Sequence, residues 1–234
     1  MSRRTFSDRF TIGSEEELIQ AIDELGFVPF FENEIKGFSL EEHIAPGCWY
    51  GGSDPWEAWE WKGPVIRGSN CAYGKFLQNK AVYISKELFP DFANYRRDGY
   101  DFDARYEDGL ASRDDKELYE LLAANAPILS KPLKAIGNYR KGGRKGFDSS
   151  ITRLQRQCYV TVSDFRYAVD KFGNEYGWGI AEYTTPEILW GGSFTDEVYK
   201  RSPEESYERL MKHFRKILPK ADEKQIAKVL GQGN

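Results

Sequence analysis

The sequence predicts an α+β fold, mainly helical, built from winged helix-turn-helix modules with a β-hairpin wing. Three observations carry this. Residues 116–187 lay out three short apolar-striped segments followed by a two-stranded ribbon. From Lys131 to Arg156 stand eight bases, Lys131, Lys134, Arg140, Lys141, Arg144, Lys145, Arg153 and Arg156, and among them a single acid, Asp148; this local excess of +7 contrasts with a formal charge of −4 for the chain. Helical periodicity and capping signals recur on both sides of it.

Taken in order, Ser14-Glu15-Glu16-Glu17 is a capping box, and Leu18, Ile19, Ile22 and Leu25 form the apolar side of the helix behind it, which Gly26 stops. Phe27-Val28-Pro29-Phe30-Phe31 reads as a buried connection. Ser39 with Glu42 predicts a second capped helix, ended by Pro46-Gly47. Four of the six tryptophans, Trp49, Trp56, Trp59 and Trp61, fall in the next stretch, where Asp54-Pro55 has the form of a cap with proline at the first helical position. They can line an aromatic pocket, with Asp54, Glu57 or Glu60 at hand for proton work, or simply fill a core with solvated carboxylates at its edge. Residues 72–76 and 80–84 predict a hairpin around Gln78-Asn79, and Ser85 caps a helix that kinks or starts late at Pro90.

Ser112, with Asp115 three positions on, caps a helix striped by Leu118, Leu121 and Leu122. Ser130 caps the next, with Pro132 just inside it and Leu133 and Ile136 facing inward. After the turn at Gly142-Gly143, Phe147, Ile151 and Leu154 are the buried stripe of a third helix with Asp148 as its cap, and Ser149, Arg153 and Arg156 point elsewhere. Residues 158–169 suit a strand whose alternation changes phase near Ser163-Asp164, which predicts a bulge. Phe172-Gly173-Asn174 is a turn, and Tyr176, Trp178 and Ile180 alternate along the return strand. Thr185-Pro186-Glu187 restarts a helix, Ser202-Pro203-Glu204-Glu205 opens a longer one, and residues 222–230 form a last short one.

The length allows one or two domains. The expected division is an N-terminal helical region with the tryptophan cluster (1–110), a winged-helix domain (111–190) and a C-terminal helical extension (191–234), whose helices dock on the domain, pair two copies as a homodimer, or add phosphate contacts. Three dispersed cysteines, Cys48, Cys71 and Cys158, make no C-x-x-C, so neither a metal site nor a redox motif is expected. The odd count fits a reducing cytoplasm, and no run is long enough to span a bilayer. Two histidines, His43 and His213, stand far apart in the sequence, and no phosphate-binding glycine loop occurs, so no cofactor is expected.

The run from Gly146-Phe147-Asp148 to Leu154-Gln155, the ribbon, and Tyr183-Thr184-Thr185-Pro186-Glu187 resemble a winged-helix module of the AlkZ/YcaQ-like DNA glycosylases. Ile22-Asp23-Glu24-Leu25-Gly26-Phe27, Asp54-Pro55-Trp56 and Ile84-Ser85-Lys86-Glu87-Leu88-Phe89-Pro90 resemble proteins related to that family, so the likeness spans residues 14–190. It implies winged-helix modules that hold bent DNA and act on alkylated or crosslinked bases, using a Gln-aliphatic-Asp or Gln-aliphatic-Gln motif to place water. The corresponding run here, Gln20-Ala21-Ile22-Asp23, carries one residue more between amide and acid, although i and i+3 share a helix face. Gln155-Arg156-Gln157 has the family's spacing with a charged middle residue.

The expected partner is double-stranded DNA, gripped by the eight bases, Ser149 and the wing tip at residues 170–174, in a DNA-binding protein with a role in repair. As an enzyme it excises bases, with Gln20, Asp23 or Asp54 placing water and the tryptophans housing a displaced base. A non-catalytic transcriptional regulator or an interaction scaffold is the alternative, and a basic face that is merely solvated is the plainest one.

Overall fold

The computed structural model describes residues 4–49 and 57–231. Ser14 caps α1 (Glu15–Leu25) by accepting from the Glu17 amide, and Gly26 ends it at φ 73°. Glu17 turns its carboxylate back to the Gly13 amide at 2.6 Å. Leu18, Ala21, Ile22 and Leu25 are buried, leaving Gln20 and Asp23 on the solvent side. β1 (Phe27–Pro29) follows at once. Ser39 and Glu42 do exchange hydrogen bonds, but close only a turn; the helix expected there is absent, because Pro46-Gly47 arrives before a second turn can form. The Gly- and Pro-containing α2 (Lys62–Ser69) was not foreseen. β2 (Ala72–Leu77) and β3 (Lys80–Ile84) form the expected hairpin, with Gln78 and Asn79 both at positive φ, as a two-residue primed turn requires. α3 (Phe89–Arg97) starts late, with Pro90 in its first turn.

Just before the expected division at residue 110 lies α4 (Phe102–Glu107), whose Phe102 is buried against Tyr119 and Tyr159. α5 (Arg113–Asn125), capped by Ser112, leads to β4 (Ile128–Leu129) and α6 (Ser130–Ile136). Ser130 is the first residue of α6 and Leu129 the cap, one position from expectation. α7 (Phe147–Arg156) is capped by Gly146, with Asp148 inside its first turn. β5 (Thr161–Val169) and β6 (Glu175–Thr184) are the ribbon, with a register shift between Val162 and Asp164 where the change of phase predicts it. α8 (Pro186–Trp190) is capped by Thr185. The unforeseen α9 (Gly192–Val198) follows directly, then α10 (Pro203–Ile217) and α11 (Glu223–Leu230), both with full capping boxes.

The described strands form one antiparallel six-stranded sheet in the order β1-β3-β2-β5-β6-β4, crossing the expected boundary at residue 110. The joint is the β2–β5 pair, where Tyr73 faces Val162. The buried Thr161 hydroxyl accepts from the Tyr73 amide and donates to the Tyr73 carbonyl, at 3.2 and 3.0 Å. α7 lies beside the same strand: the Gln155 side-chain oxygen accepts from the Lys75 amide at 3.0 Å. Gly74 makes room for this, since a Cβ there would lie 2.9 Å from the Phe76 ring and 3.1 Å from the Gln155 oxygen.

The apolar interior has two parts. The larger joins α1, β1–β3 and α3 to the last three helices through residues such as Phe27, Phe92, Phe194 and Phe214. The smaller collects Leu118, Leu122, Leu133, Phe147, Ile151 and Leu154 from α5–α7. The apolar stripes of α10 and α11 therefore turn inward, towards α3 and each other. Between the two parts lies Arg97, one of the largest fully buried side chains. Its guanidinium donates to Glu187 (2.7 Å), the Tyr199 hydroxyl (2.8 Å) and the Cys158 carbonyl (2.8 Å), and stacks 4.5 Å from the centre of the Tyr159 ring. Burial opposes its charge; Glu187 and Tyr199 restore it. Removing one member of such a pair leaves a charge without its partner. Arg97→Met is expected to cost about 3–5 kcal/mol in urea unfolding, and Glu187→Gln less, because Glu187 keeps some contact with solvent.

Candidate nucleic-acid interface

α7 is a helix because its apolar residues recur at helical spacing, and it buries Phe147, Ile151 and Leu154 against α5 and α6. Ser150 and Gln155 are buried as well. Gln155 uses both ends of its amide, since its nitrogen donates to the Ile151 carbonyl at 3.2 Å while its oxygen serves Lys75. Together these contacts engage both ends of the Gln155 amide, and the one to Lys75 fastens α7 to β2. Ser149 and Arg153 remain exposed on the outer face beside Asp148.

The loop before α7 is closed by the Arg144 amide donating to the Asn138 carbonyl at 2.8 Å. Gly143 is required here: a Cβ would fall 2.1 Å from that carbonyl oxygen. The loop presents Arg140, Lys141 and Lys145 to solvent, and Lys131 is exposed in the first turn of α6. At the far end of the ribbon, Asp170 closes the turn by accepting from the Phe172 and Asn174 amides at 2.7 and 3.0 Å. These amides and the Asn174 side chain hold the Asp170 carboxyl below its usual range. Phe172 and Trp178 are 76% and 67% exposed, and Lys171 lies over the Phe172 ring at 4.9 Å.

The local charge is smaller than the sequence window indicates. Arg153 makes a bidentate pair with the buried Asp115, both contacts 2.7 Å. Arg144 pairs with Asp114 and Glu117 at 2.9 and 2.6 Å, and Lys134 with Asp148 at 3.0 Å. The acids come mostly from α5, outside the 131–156 window but beside it in space. Lys131, Arg140, Lys141, Lys145 and Arg156 have no ion-pair partner among the described residues.

The expected catalytic residues are dispersed. Asp54 and Trp56 lie outside the described residues. Trp61 is buried, and Trp49 and Trp59 pack on Phe30 with ring centroids 5.5 and 5.4 Å away. Gln20 donates to Glu24 at 2.7 Å. Asp23 lines a separate cavity of about 520 Å³ with Glu24, Glu87, Asp91, Arg209 and His213. Burial first, then Glu87 and Glu24, push the Asp23 carboxyl above its usual range. His43 is structural, stacked on Phe10 with a ring nitrogen 2.8 Å from the Gly37 carbonyl. Burial raises the Cys71 and Cys158 thiols to about 12, which removes them as nucleophiles. Sequence reading missed Lys62, whose ammonium sits over the Trp59 and Phe165 rings at 4.4 and 4.7 Å and is lowered to about 8 by burial, against the pull of Glu60. Its adjacency to Trp61 was the only signal, and a weak one, because Phe165 comes from a distant strand. Among the described residues no cluster of ligating side chains could hold a metal, and no helix is long and apolar enough to cross a membrane.

A model of the AlkZ-related family matches residues 12–231. The chain belongs to the AlkZ-related family. The match takes in α1, the six-stranded sheet and α11, so the family covers both parts of the interior and extends beyond the span of the sequence resemblance at each end. No curated protein and no solved structure matches the chain.

Asp115 provides a check on this charge arrangement. Burial raises its pKa, but hydrogen bonds from Arg153, Ser150 and Ser112 outweigh burial and hold it below the usual range. A depressed folded-state value means stability that is present above the unfolded value, about pH 4, and lost as pH falls through the folded one. Asp115→Asn should therefore cost about 2 kcal/mol at neutral pH, and its urea midpoint should converge on that of the unmodified protein in acid.

Proposed function

We propose that residues 111–190 act as a winged helix that binds duplex DNA, in a protein with a role in DNA repair. Support comes from the element order helix, short strand, helix, helix and ribbon, with β4 paired to β6. The observation that carries the reading is the set of unpaired bases around the reading helix: Lys131, Arg140, Lys141 and Lys145 on α6 and the loop, facing solvent beside the exposed outer side of α7. Phosphate contacts made by such side chains release counterions, which makes affinity steeply salt-dependent. Arg144 and Arg153, already neutralised by α5, position the loop and helix. Membership of the AlkZ-related family supports the assignment to DNA rather than to an acidic protein.

Duplex titrations by fluorescence anisotropy at several salt concentrations test this. Each of Lys141→Ala and Lys145→Ala should reduce the slope of log K against log salt by about 1, as expected for one lost phosphate contact. Arg144→Ala should change the slope less than either. Identical slopes for all three variants and the parent would remove the proposal.

A second reading, base excision, rests on Asp23. A carboxyl raised by partial burial and neighbouring acids at the solvent-facing edge of a polar cavity suits proton transfer or water placement. Alkylated duplex incubated with the protein and then treated with alkali should show strand breaks that Asp23→Asn abolishes. That variant should melt higher than the parent at neutral pH, since it removes a repelled charge, so lost activity would not be unfolding. Breaks that persist undiminished in the variant, or that never rise above background, exclude Asp23 from such a role.

A further inference from the structure

At the C-terminal end of α7, where α3, α7 and α11 converge, lies a cavity of about 360 Å³ lined by Tyr95, Arg96, Arg153, Arg156, Gln157 and Gly231. Three guanidinium groups border it. Arg96 is held in place by two helix ends, donating from Nε to the Arg156 carbonyl and from Nη1 to the Leu230 carbonyl, both at 3.0 Å. That explains its position, but its charge meets carbonyl dipoles and, at 5.8 Å, the Phe92 ring rather than a carboxylate. Arg153 has its one carboxylate partner, Asp115, on the α5 side. Arg156 has no hydrogen-bonding or ionic side-chain partner among the described residues. Arg96 and Arg156 repel one another, and burial together with Arg156 lowers the Arg96 pKa.

Two guanidinium groups without a carboxylate partner, Arg96 and Arg156, border one cavity beside the Asp115-paired Arg153, an arrangement that an anion would relieve. Gln157 and Tyr95 also line it, and their side chains carry an amide and a hydroxyl, groups able to donate to an oxyanion. Guanidinium groups match phosphate oxygens by paired N–H donation. We propose that this cavity is a phosphate-binding site, with Arg156 as its principal donor and Arg96 as flanking charge. It does not depend on duplex binding, because inorganic phosphate alone tests it. The phosphate comes either from a nucleic-acid backbone or from a free phosphate or phosphomonoester.

Calorimetric titration of the full chain with inorganic phosphate, at ionic strength fixed with sodium chloride, tests the site directly. A single-site isotherm is expected, weakened about tenfold or more in Arg156→Gln. Lys216→Gln, on the exposed side of α10, should leave it unchanged. Without phosphate, Arg156→Gln should melt at or above the parent temperature, because a repulsive contact is removed, so loss of binding would not be loss of fold. Phosphate that binds no better than chloride, or binds the parent and Arg156→Gln alike, overturns the proposal. Duplex titration of the same variant identifies the source. Affinity reduced several-fold with a salt slope lower by about 1 identifies a backbone phosphate, whereas unchanged affinity identifies a free phosphate or phosphomonoester. A protein that fails to bind duplex at all leaves the calorimetric result intact, so the two readings fail separately.

Discussion

The buried guanidinium of Arg97 is the interaction on which the arrangement of the two halves depends. It touches α8 through Glu187, the start of the ribbon through Cys158 and Tyr159, and the end of α9 through Tyr199, all from the last turn of α3. An arginine in that position needs every one of those partners, because a charge removed from water without them is costly. The requirement works in both directions. Each segment must arrive at the right place for the guanidinium to be tolerated, and once there each is held by it.

The same joint sets what the outer surface can do. β2 meets β5 through the two hydrogen bonds of Thr161, and α7 is fastened to β2 by Gln155. The helix that faces solvent in the ribbon-bearing half is therefore braced from the N-terminal half. Its inner face is taken up by this bracing and by the apolar stripe, which leaves Ser149 and the preceding loop exposed on the outer side. The acids of α5 then decide which bases keep their charge available. A bidentate pair such as Arg153–Asp115 orders the helix surface, whereas Arg140, Lys141 and Lys145 on the loop keep unpaired cations in water.

Much of the local structure was legible in the residues. Ser14, Ser112, Thr185 and Ser202 cap the helices expected of them, Gln78-Asn79 turns the expected hairpin, and the phase change near Ser163 marks a real register shift. These are signals read within a few residues of chain. α2 and α9 carry no such signal, because glycine or proline masks their periodicity and their stability comes from packing. Ser39 and Glu42 show the reverse case, a capping signal with no helix behind it. Of the candidate site, the exposure of Lys131, Arg140, Lys141 and Lys145 followed from the pattern, but the neutralisation of Lys134, Arg144 and Arg153 did not, except for the nearby Asp148.

By itself, then, the sequence determined the elements, the ribbon and the family likeness, because caps, turns and apolar spacing act over a single turn or a few residues of strand. Tertiary structure alone decided that β2 and β5 share a sheet, that α10 and α11 return to α3, and that Arg96, Arg153 and Arg156 surround one cavity. The physical reason is the range of the forces involved. Charge and burial act through space, and the partners that neutralise a cation or enclose a side chain come from segments tens of residues away along the chain.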